Sequence, residues 1–341
     1  MADLVGLSEI AQIAYVTTAA VNNWRNRYRD FPAPVAELKA GMVFDKEQVE
    51  AWLRKRGKIM GAKVISFINL KGGVAKTTTT VGTATVLAGE KGKKVLVVDL
   101  DPQTNCTTML IGENTWKKLN EQGYTLSTLF HDALEETSNF NLSKTLQKNV
   151  SGITNVKTVD LIPSSLDMID LQDKIVQIPQ GKFYANNPIE IVKRALKPII
   201  NNYDYVLIDC PPNMGIITLN GLRISDGYII PTIPDVLSTY GIPQIINRVN
   251  KFSENIGEDI ACLGIVATKV REQSTLHGRT LKTLQLEKDA PLFDTIFYEN
   301  NQMGEAAEYN PVNTLRQKWG YQGQFNRFND FADEIIEKME V

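Results

Sequence analysis

Val64-Ile65-Ser66-Phe67-Ile68-Asn69-Leu70-Lys71-Gly72-Gly73-Val74-Ala75-Lys76-Thr77-Thr78 is the stretch that decides the fold. An apolar run of strand length leads into a glycine-bearing loop, and a Lys-Thr pair opens a helix. Gly72 and Gly73 remove side chains that would block the approach of an anion to the backbone amides. A helix starting near Ala75–Lys76 adds unsatisfied N–H groups and a positive dipole end. In such a loop Lys76 reaches the β- and γ-phosphates of a nucleotide, and the Thr77 hydroxyl ligates Mg²⁺. The common phosphate-loop pattern is G-x-x-x-x-G-K-[ST]. Leu70 and Ala75 occupy its two glycine positions here, and a second lysine, Lys71, precedes the glycines. Without a nucleotide role, the same residues make a plain strand-to-helix turn.

Two more apolar runs end in carboxylates. Val95-Leu96-Val97-Val98 is followed by Asp99-Leu100-Asp101-Pro102-Gln103, and Tyr205-Val206-Leu207-Ile208 by Asp209-Cys210-Pro211-Pro212. Open α/β sheets bind ligands at the C-terminal ends of their strands, so acidic groups there have a polar task. The Tyr205–Pro212 stretch resembles a Walker B strand with a D-x-P-P switch II, which implies that Asp209 holds Mg²⁺ through water; Pro211-Pro212 stiffens the loop behind it.

The loop resembles the deviant Walker A motif, K-G-G-x-x-K-[ST], of the ParA/MinD family. The resemblance runs from about Lys63 to the C-terminus. It implies a mostly parallel, doubly wound α/β P-loop NTPase sheet that binds ATP and Mg²⁺. Lys71 would then cross a homodimer to the partner's nucleotide. Gly72, Gly73, Val74, Ala75, Lys76, Thr77 and Thr78 would cradle the phosphates. Asp101 would orient the attacking water, with Lys71 and Lys76 as its catalytic companions. Thr77, Asp99 and Asp209 would serve the metal, with Asp99 supporting either the ion or the loop. Pro231 and Thr268 lie where the family's base pocket is, and ATP rather than GTP rests on the resemblance alone. Most members carry glycine where this chain has Ala75; a small, good first-turn residue is expected to be tolerated there.

The 341 residues suffice for one large α/β domain and a small one. Strands are expected near 63–69, 94–99, 158–163, 204–209, 227–232, 260–268 and 292–297. Helices are expected near 76–90, 187–201, 214–224, 239–254, 276–287 and 302–308. Residues 112–157 read as polar, with short helical stretches. Phe325, Phe328, Phe331, Ile335, Ile336 and Met339 recur at helical spacing, and the opposite face is mostly acidic. Anionic lipid would repel that face, so the segment reads as a helix docked on its domain rather than on a membrane.

Charged residues make up 22% of the chain and the net charge is −2, an ordinary balance for a soluble protein. No apolar run approaches the roughly 18–20 residues of a membrane span, and the start lacks signal-peptide character. Cys106, Cys210 and Cys262 are isolated, which suits a reducing cytosol and argues against zinc or paired-cysteine redox chemistry.

Residues 1–60 carry nine Lys+Arg against seven Asp+Glu, so this end is slightly basic. Leu7–Ala14 reads as a short helix, Val16-Thr17-Thr18 as a turn, and Ala19–Arg29 as a second helix. Two short helices and a tight turn make a helix-turn-helix, whose second helix enters the major groove. Thr18, Asn22, Asn23, Arg25, Arg27 and Arg29 are its candidate DNA contacts, since Asn pairs with adenine and Arg with guanine or phosphate. With Phe31–Trp52 the stretch resembles the winged helix-turn-helix of MerR and excisionase proteins. A DNA-free helical cap or dimerisation module fits the modest charge as well. Arg54-Lys55-Arg56-Gly57-Lys58 reads as the linker to the ATPase domain at 61–341.

ParA proteins of the plasmid-partition type resemble this architecture. They imply an ATP-dependent homodimer that binds DNA non-specifically and hydrolyses ATP slowly. A ParB-type centromere-binding protein stimulates the hydrolysis, and the whole acts in the cytoplasm on the nucleoid. Candidates for the non-specific DNA contacts lie among Arg248, Lys251, Lys269, Arg271, Arg279, Lys282, Arg316 and Lys318, most of which read equally as a plain solvated face. An ATP-regulated transcriptional regulator, a positioning ATPase for a non-DNA cargo and a metabolic P-loop enzyme are the alternatives.

Overall fold

The structure is a computed structural model describing residues 4–14, 16–38, 41–56, 61–177, 187–235, 239–321 and 323–340. The chain divides into two compact units, Met1–Gly61 and Ala62–Val341.

The first unit opens with strand β1 (Leu4–Gly6), a helix at Leu7–Ile13 and a second at Thr18–Arg27. The Thr17 hydroxyl accepts from the Ala20 amide at 3.3 Å and starts the second helix. Strands β2 (Ala36–Leu38) and β3 (Gly41–Asp45) follow, then a helix at Lys46–Lys55. The sheet order is β1-β3-β2, antiparallel throughout. Its core gathers on Trp52, which meets Phe31 at 4.8 Å, Tyr28 at 5.6 Å and Trp24 at 6.1 Å between ring centroids. The expected linker is corrected at its start: Arg54 and Lys55 belong to the Lys46–Lys55 helix. Both are good helix formers, and cations suit a helix C-terminus. Gly57 and Lys58 lie outside the described residues.

The second unit is built on seven parallel strands in the order β10-β9-β8-β4-β7-β5-β6. They are β4 (Lys63–Phe67), β5 (Val95–Asp99), β6 (Val159–Ile162), β7 (Tyr205–Asp209), β8 (Gly227–Thr232), β9 (Ala261–Val270) and β10 (Leu292–Tyr298). The central strands β5, β7 and β8 are buried along their whole length because both faces of the sheet are covered. One core packs the helix Lys76–Gly89 and the C-terminal helix Gln324–Glu340 on one face. The other face carries the helices Ile191–Leu196, Ile216–Leu222 and Ile242–Ile256.

The helix expected over 187–201 is broken into a 3₁₀ turn at Pro188–Glu190, a helix at Ile191–Leu196 and a 3₁₀ turn at Ile200–Asn202. Pro198 lacks an N–H and its ring disfavours helix in the residue before it, so the helix ends at Leu196. The C-terminal helix is docked as its spacing implies, with Phe325, Phe328, Phe331, Ile335 and Met339 buried. Its Glu334 accepts from the Asp294 and Thr295 amides of β10 at 2.8 and 2.9 Å.

Candidate functional site

The site forms where β4, β5 and β7 end side by side. Phe67 and Asp99 both pair with Asp209 in the parallel register, so two strand-end carboxylates stand next to the phosphate loop. Gly73 has φ 77°, which glycine adopts freely. A Cβ built on Gly72 or Gly73 would meet nothing within 4 Å, so the loop's outer face is open space at both glycines.

Ala75 corrects the sequence argument. It sits just before the helix Lys76–Gly89, in the left-handed region with φ 62° and ψ 26°. Helix propensity is therefore not the relevant quantity, and its Cβ carries a steric cost that glycine would not.

Lys76 is buried, and its Nζ donates to the Lys71 carbonyl at 3.1 Å and the Asn69 carbonyl at 3.4 Å. Burial lowers its pKa, while the charges of Asp209 and Asp101 act the other way. The Thr77 hydroxyl donates to Asp209 Oδ2 at 2.7 Å, and Thr80 Oγ1 lies 3.5 Å from Asp209 Oδ1. Burial pushes Asp209 up to about 7; the Thr77 hydrogen bond opposes this and the Asp101 charge adds to it.

Asp99 is fully buried and committed to the following loop. Its Oδ2 accepts from the Thr107 amide at 2.8 Å and the Thr107 hydroxyl at 2.6 Å; its Oδ1 accepts from the Asp101 amide at 3.1 Å. Burial first, then the Asp209 charge, hold its carboxyl well above the usual range. Of the two roles open to Asp99, the geometry displays support of the loop. Asp101 Oδ1 accepts from the Gln103 amide at 3.0 Å, and its carbonyl accepts from Ser164 Oγ at 2.8 Å. Its pKa is raised by burial, with the Gln103 bond and Lys76 opposing.

Thr268 and Pro231 stand at the ends of β9 and β8 and brace the loop. Thr268 Oγ1 donates to the Val74 carbonyl at 3.0 Å, and the Pro231 carbonyl accepts from Asn69 Nδ2 at 2.8 Å. Asn69 Oδ1 also takes the Lys71 amide at 2.9 Å. Lys71 Nζ lies 3.1 and 3.4 Å from the two oxygens of Asp235. Thr78 opens the same helix beside Thr77. Asn69, Thr107, Ser164 and Asp235 were not picked out from sequence. Asn69 had a signal, as a polar residue inside an apolar run; the others depend on long-range contacts.

Every donor that converges here is a hard oxygen: the Thr77 hydroxyl and the Asp209 and Asp101 carboxylates. That set fits Mg²⁺, which keeps several waters and takes one or two protein ligands. Among the described residues no group of three or more His, Cys, Asp or Glu is placed to hold a metal.

In the first unit Thr18, Asn23, Arg27 and Arg29 are exposed. Arg25 and Asn22 instead bond each other at 3.0 Å, and the Arg25 guanidinium lies over Phe44 at 5.8 Å. In the second unit Lys318 is corrected as a DNA candidate. It is buried, and its Nζ donates to the Glu308 carbonyl at 2.6 Å. Arg271 is paired with Glu299 at 2.5 Å.

The family model described as AAA domain matches residues 62–262, more than half of the chain. A Mycobacterium tuberculosis protein described as uncharacterized is 33% identical over 236 residues, 69% of this chain and 67% of its own length. The chromosome-partitioning ATPase Soj of Treponema pallidum is 28% identical over 247 residues, covering 72% of this chain and 87% of Soj. Among solved structures, a plasmid partition protein from Borrelia burgdorferi superposes with TM-score 0.57 at 21% identity, covering 82% of this chain and 100% of its own. Cobyrinic acid a,c-diamide synthase from Mycobacterium smegmatis, with bound ADP and magnesium, gives TM-score 0.61 at 23% identity, covering 82% and 96%.

Proposed function

Because this chain belongs to the AAA domain family, we propose that its phosphate loop is that of a ParA-type ATPase. ATP and Mg²⁺ bind at residues 71–78, and Thr77 and Asp209 hold the metal. Bound there, they supply the transferable phosphoryl group and neutralise its charge. The loop amides and Lys76 grip the phosphates. Asp101 orients a water against the terminal phosphate, and Asp99 keeps the Asp101 loop in place through Thr107. Hydrolysis of this kind depends on positioning and charge neutralisation, so a single copy of the chain turns over slowly.

Two copies close face to face with ATP, and each Lys71 reaches the other's nucleotide. The dimer binds DNA non-specifically, acts in the cytoplasm on the nucleoid, and is released when a ParB-type partner stimulates hydrolysis. This cycle serves plasmid or chromosome partition. The N-terminal unit adds a winged helix-turn-helix that recognises an operator, with Asn23, Arg27 and Arg29 as its exposed contacts. No described helix is long and apolar enough to cross a membrane.

One observation carries this reading: two lysines, Lys71 and Lys76, flank one glycine loop beside the Asp209 strand end. Only Lys76 is buried in its own loop, while Lys71 is 40% exposed at the surface. Sedimentation with ATP and Mg²⁺ tests it. The wild type should dimerise and Lys71→Ala should stay monomeric with reduced turnover. A wild type that remains monomeric, or a Lys71→Ala chain that dimerises equally well, overturns the reading.

A further inference from the structure

We propose that Asp235 is the intramolecular counter-ion of Lys71, a positioning residue that holds this lysine within one subunit and releases it only to a more anionic partner. The inference rests on the dimer reading above. Lys71 follows β4 and Asp235 follows β8, and these are neighbouring strands. One Asn69 side chain ties the two loops, taking the Lys71 amide at 2.9 Å and giving to the Pro231 carbonyl at 2.8 Å. The lysine ammonium then lies within 3.1 and 3.4 Å of the two Asp235 oxygens.

The exposure of the pair matters. The Lys71 and Asp235 side chains are 40% and 28% exposed, so the bridge lies at the surface and can open. An ion pair of that kind shifts an equilibrium by up to about fivefold. A symmetric dimer in which both lysines cross must open two such pairs, so the combined effect reaches about 25-fold at most. A triphosphate offers Lys71 more negative charge than one carboxylate does, and a diphosphate offers less than a triphosphate. Asp235 therefore sets a threshold that favours assembly with the triphosphate.

The test compares wild type, Asp235→Asn, Asp235→Glu, Lys71→Ala and Lys71→Ala/Asp235→Asn by sedimentation with ATP or ADP plus Mg²⁺. Asp235→Asn keeps the shape and removes the charge. It should strengthen ATP-dependent dimerisation severalfold, up to about 25-fold, and should let a dimer form with ADP. Asp235→Glu should behave as wild type. In the Lys71→Ala background the Asp235→Asn change should have no effect, because Asp235 acts through Lys71. The gain should shrink at high salt, where exposed charges are screened. An unchanged or weakened Asp235→Asn dimer overturns the proposal while leaving the dimer reading intact. So does a Lys71→Ala/Asp235→Asn chain that dimerises with ATP. A wild type that stays monomeric with ATP overturns both.

Discussion

Ala75 occupies a left-handed backbone position, φ 62°, at the entry to the phosphate-loop helix. A Cβ in that region costs roughly 1–2 kcal/mol. Ala75→Gly removes this strain but frees the unfolded chain, which gives back about 0.4–1 kcal/mol. The variant should therefore be more stable by up to about 1.5 kcal/mol in urea unfolding, with nucleotide affinity retained. A less stable Ala75→Gly protein would show that the left-handed turn carries no net strain. Asp209 gives a second prediction at this scale. Burial first, and the neighbouring Asp101 charge, push it up to about 7, above the usual carboxylate range. A carboxylate raised on folding binds its proton more tightly when folded, so metal-free stability falls as pH rises from about 4 to 7. Mg²⁺ needs the ionised form and displaces that proton. Mg²⁺ binding, followed calorimetrically with nucleotide present, should be about tenfold tighter at pH 8 than at pH 6 and level above that. A pH-independent affinity would mean that Asp209 is already ionised at pH 6.

The helix Lys76–Gly89 is the element that presents the loop, and nearly its whole length is buried. The C-terminal helix reaches it through Gly82, where a Cβ would lie 2.1 Å from Phe328 Cε1. Phe328 is fully buried, with its ring centroid 4.6 Å from Trp319 and 4.7 Å from Phe297, so it has little room to retreat. Trp319 Nε1 also donates to Thr85 Oγ1 on the same helix at 2.9 Å. Gly82→Ala gains up to about 1 kcal/mol of helix propensity and incurs about 1–3 kcal/mol of overpacking. A net loss of up to about 2 kcal/mol is expected in urea unfolding, and a stabilised variant would contradict the close contact. The seven strands of the sheet were legible because buried parallel strands read as continuous apolar runs, and Val95–Val98 and Tyr205–Ile208 do so plainly. Their endings marked Lys76, Thr77, Asp101 and Asp209 as site candidates as well. The helices Asn105–Ile111, Met168–Gln177 and Leu315–Trp319 were not foreseen. The first of them begins after Thr104, which is left-handed at φ 58°, and is fixed by the Asp99–Thr107 bonds rather than by periodicity. Contacts such as Thr107 with Asp99, or Lys71 with Asp235, arise from strand order, and no local pattern encodes strand order.

At the scale of the whole molecule, two units close separate cores of very different size. Among the described residues the N-terminal unit buries nine apolar side chains, Trp52 included, while the sheet unit has a core on each face. A unit of about 60 residues is marginally stable by its surface-to-volume ratio alone. Calorimetry should therefore resolve two cooperative transitions, the smaller one at lower temperature. Trp52 is 5% exposed and central to the small core. Its truncation to Ala costs about 3–5 kcal/mol, comparable with the stability of such a unit. Trp52→Ala should abolish the lower transition and leave the upper one in place. ATP with Mg²⁺ binds the folded sheet unit, so by mass action it should raise the upper transition and not the lower. On the proposed operator contact at Asn23, Arg27 and Arg29, operator DNA should raise the lower one instead. If nucleotide raised both transitions together, or if Trp52→Ala lowered the upper one, the units would be energetically coupled. Nucleotide state and DNA recognition would then be two readouts of one equilibrium.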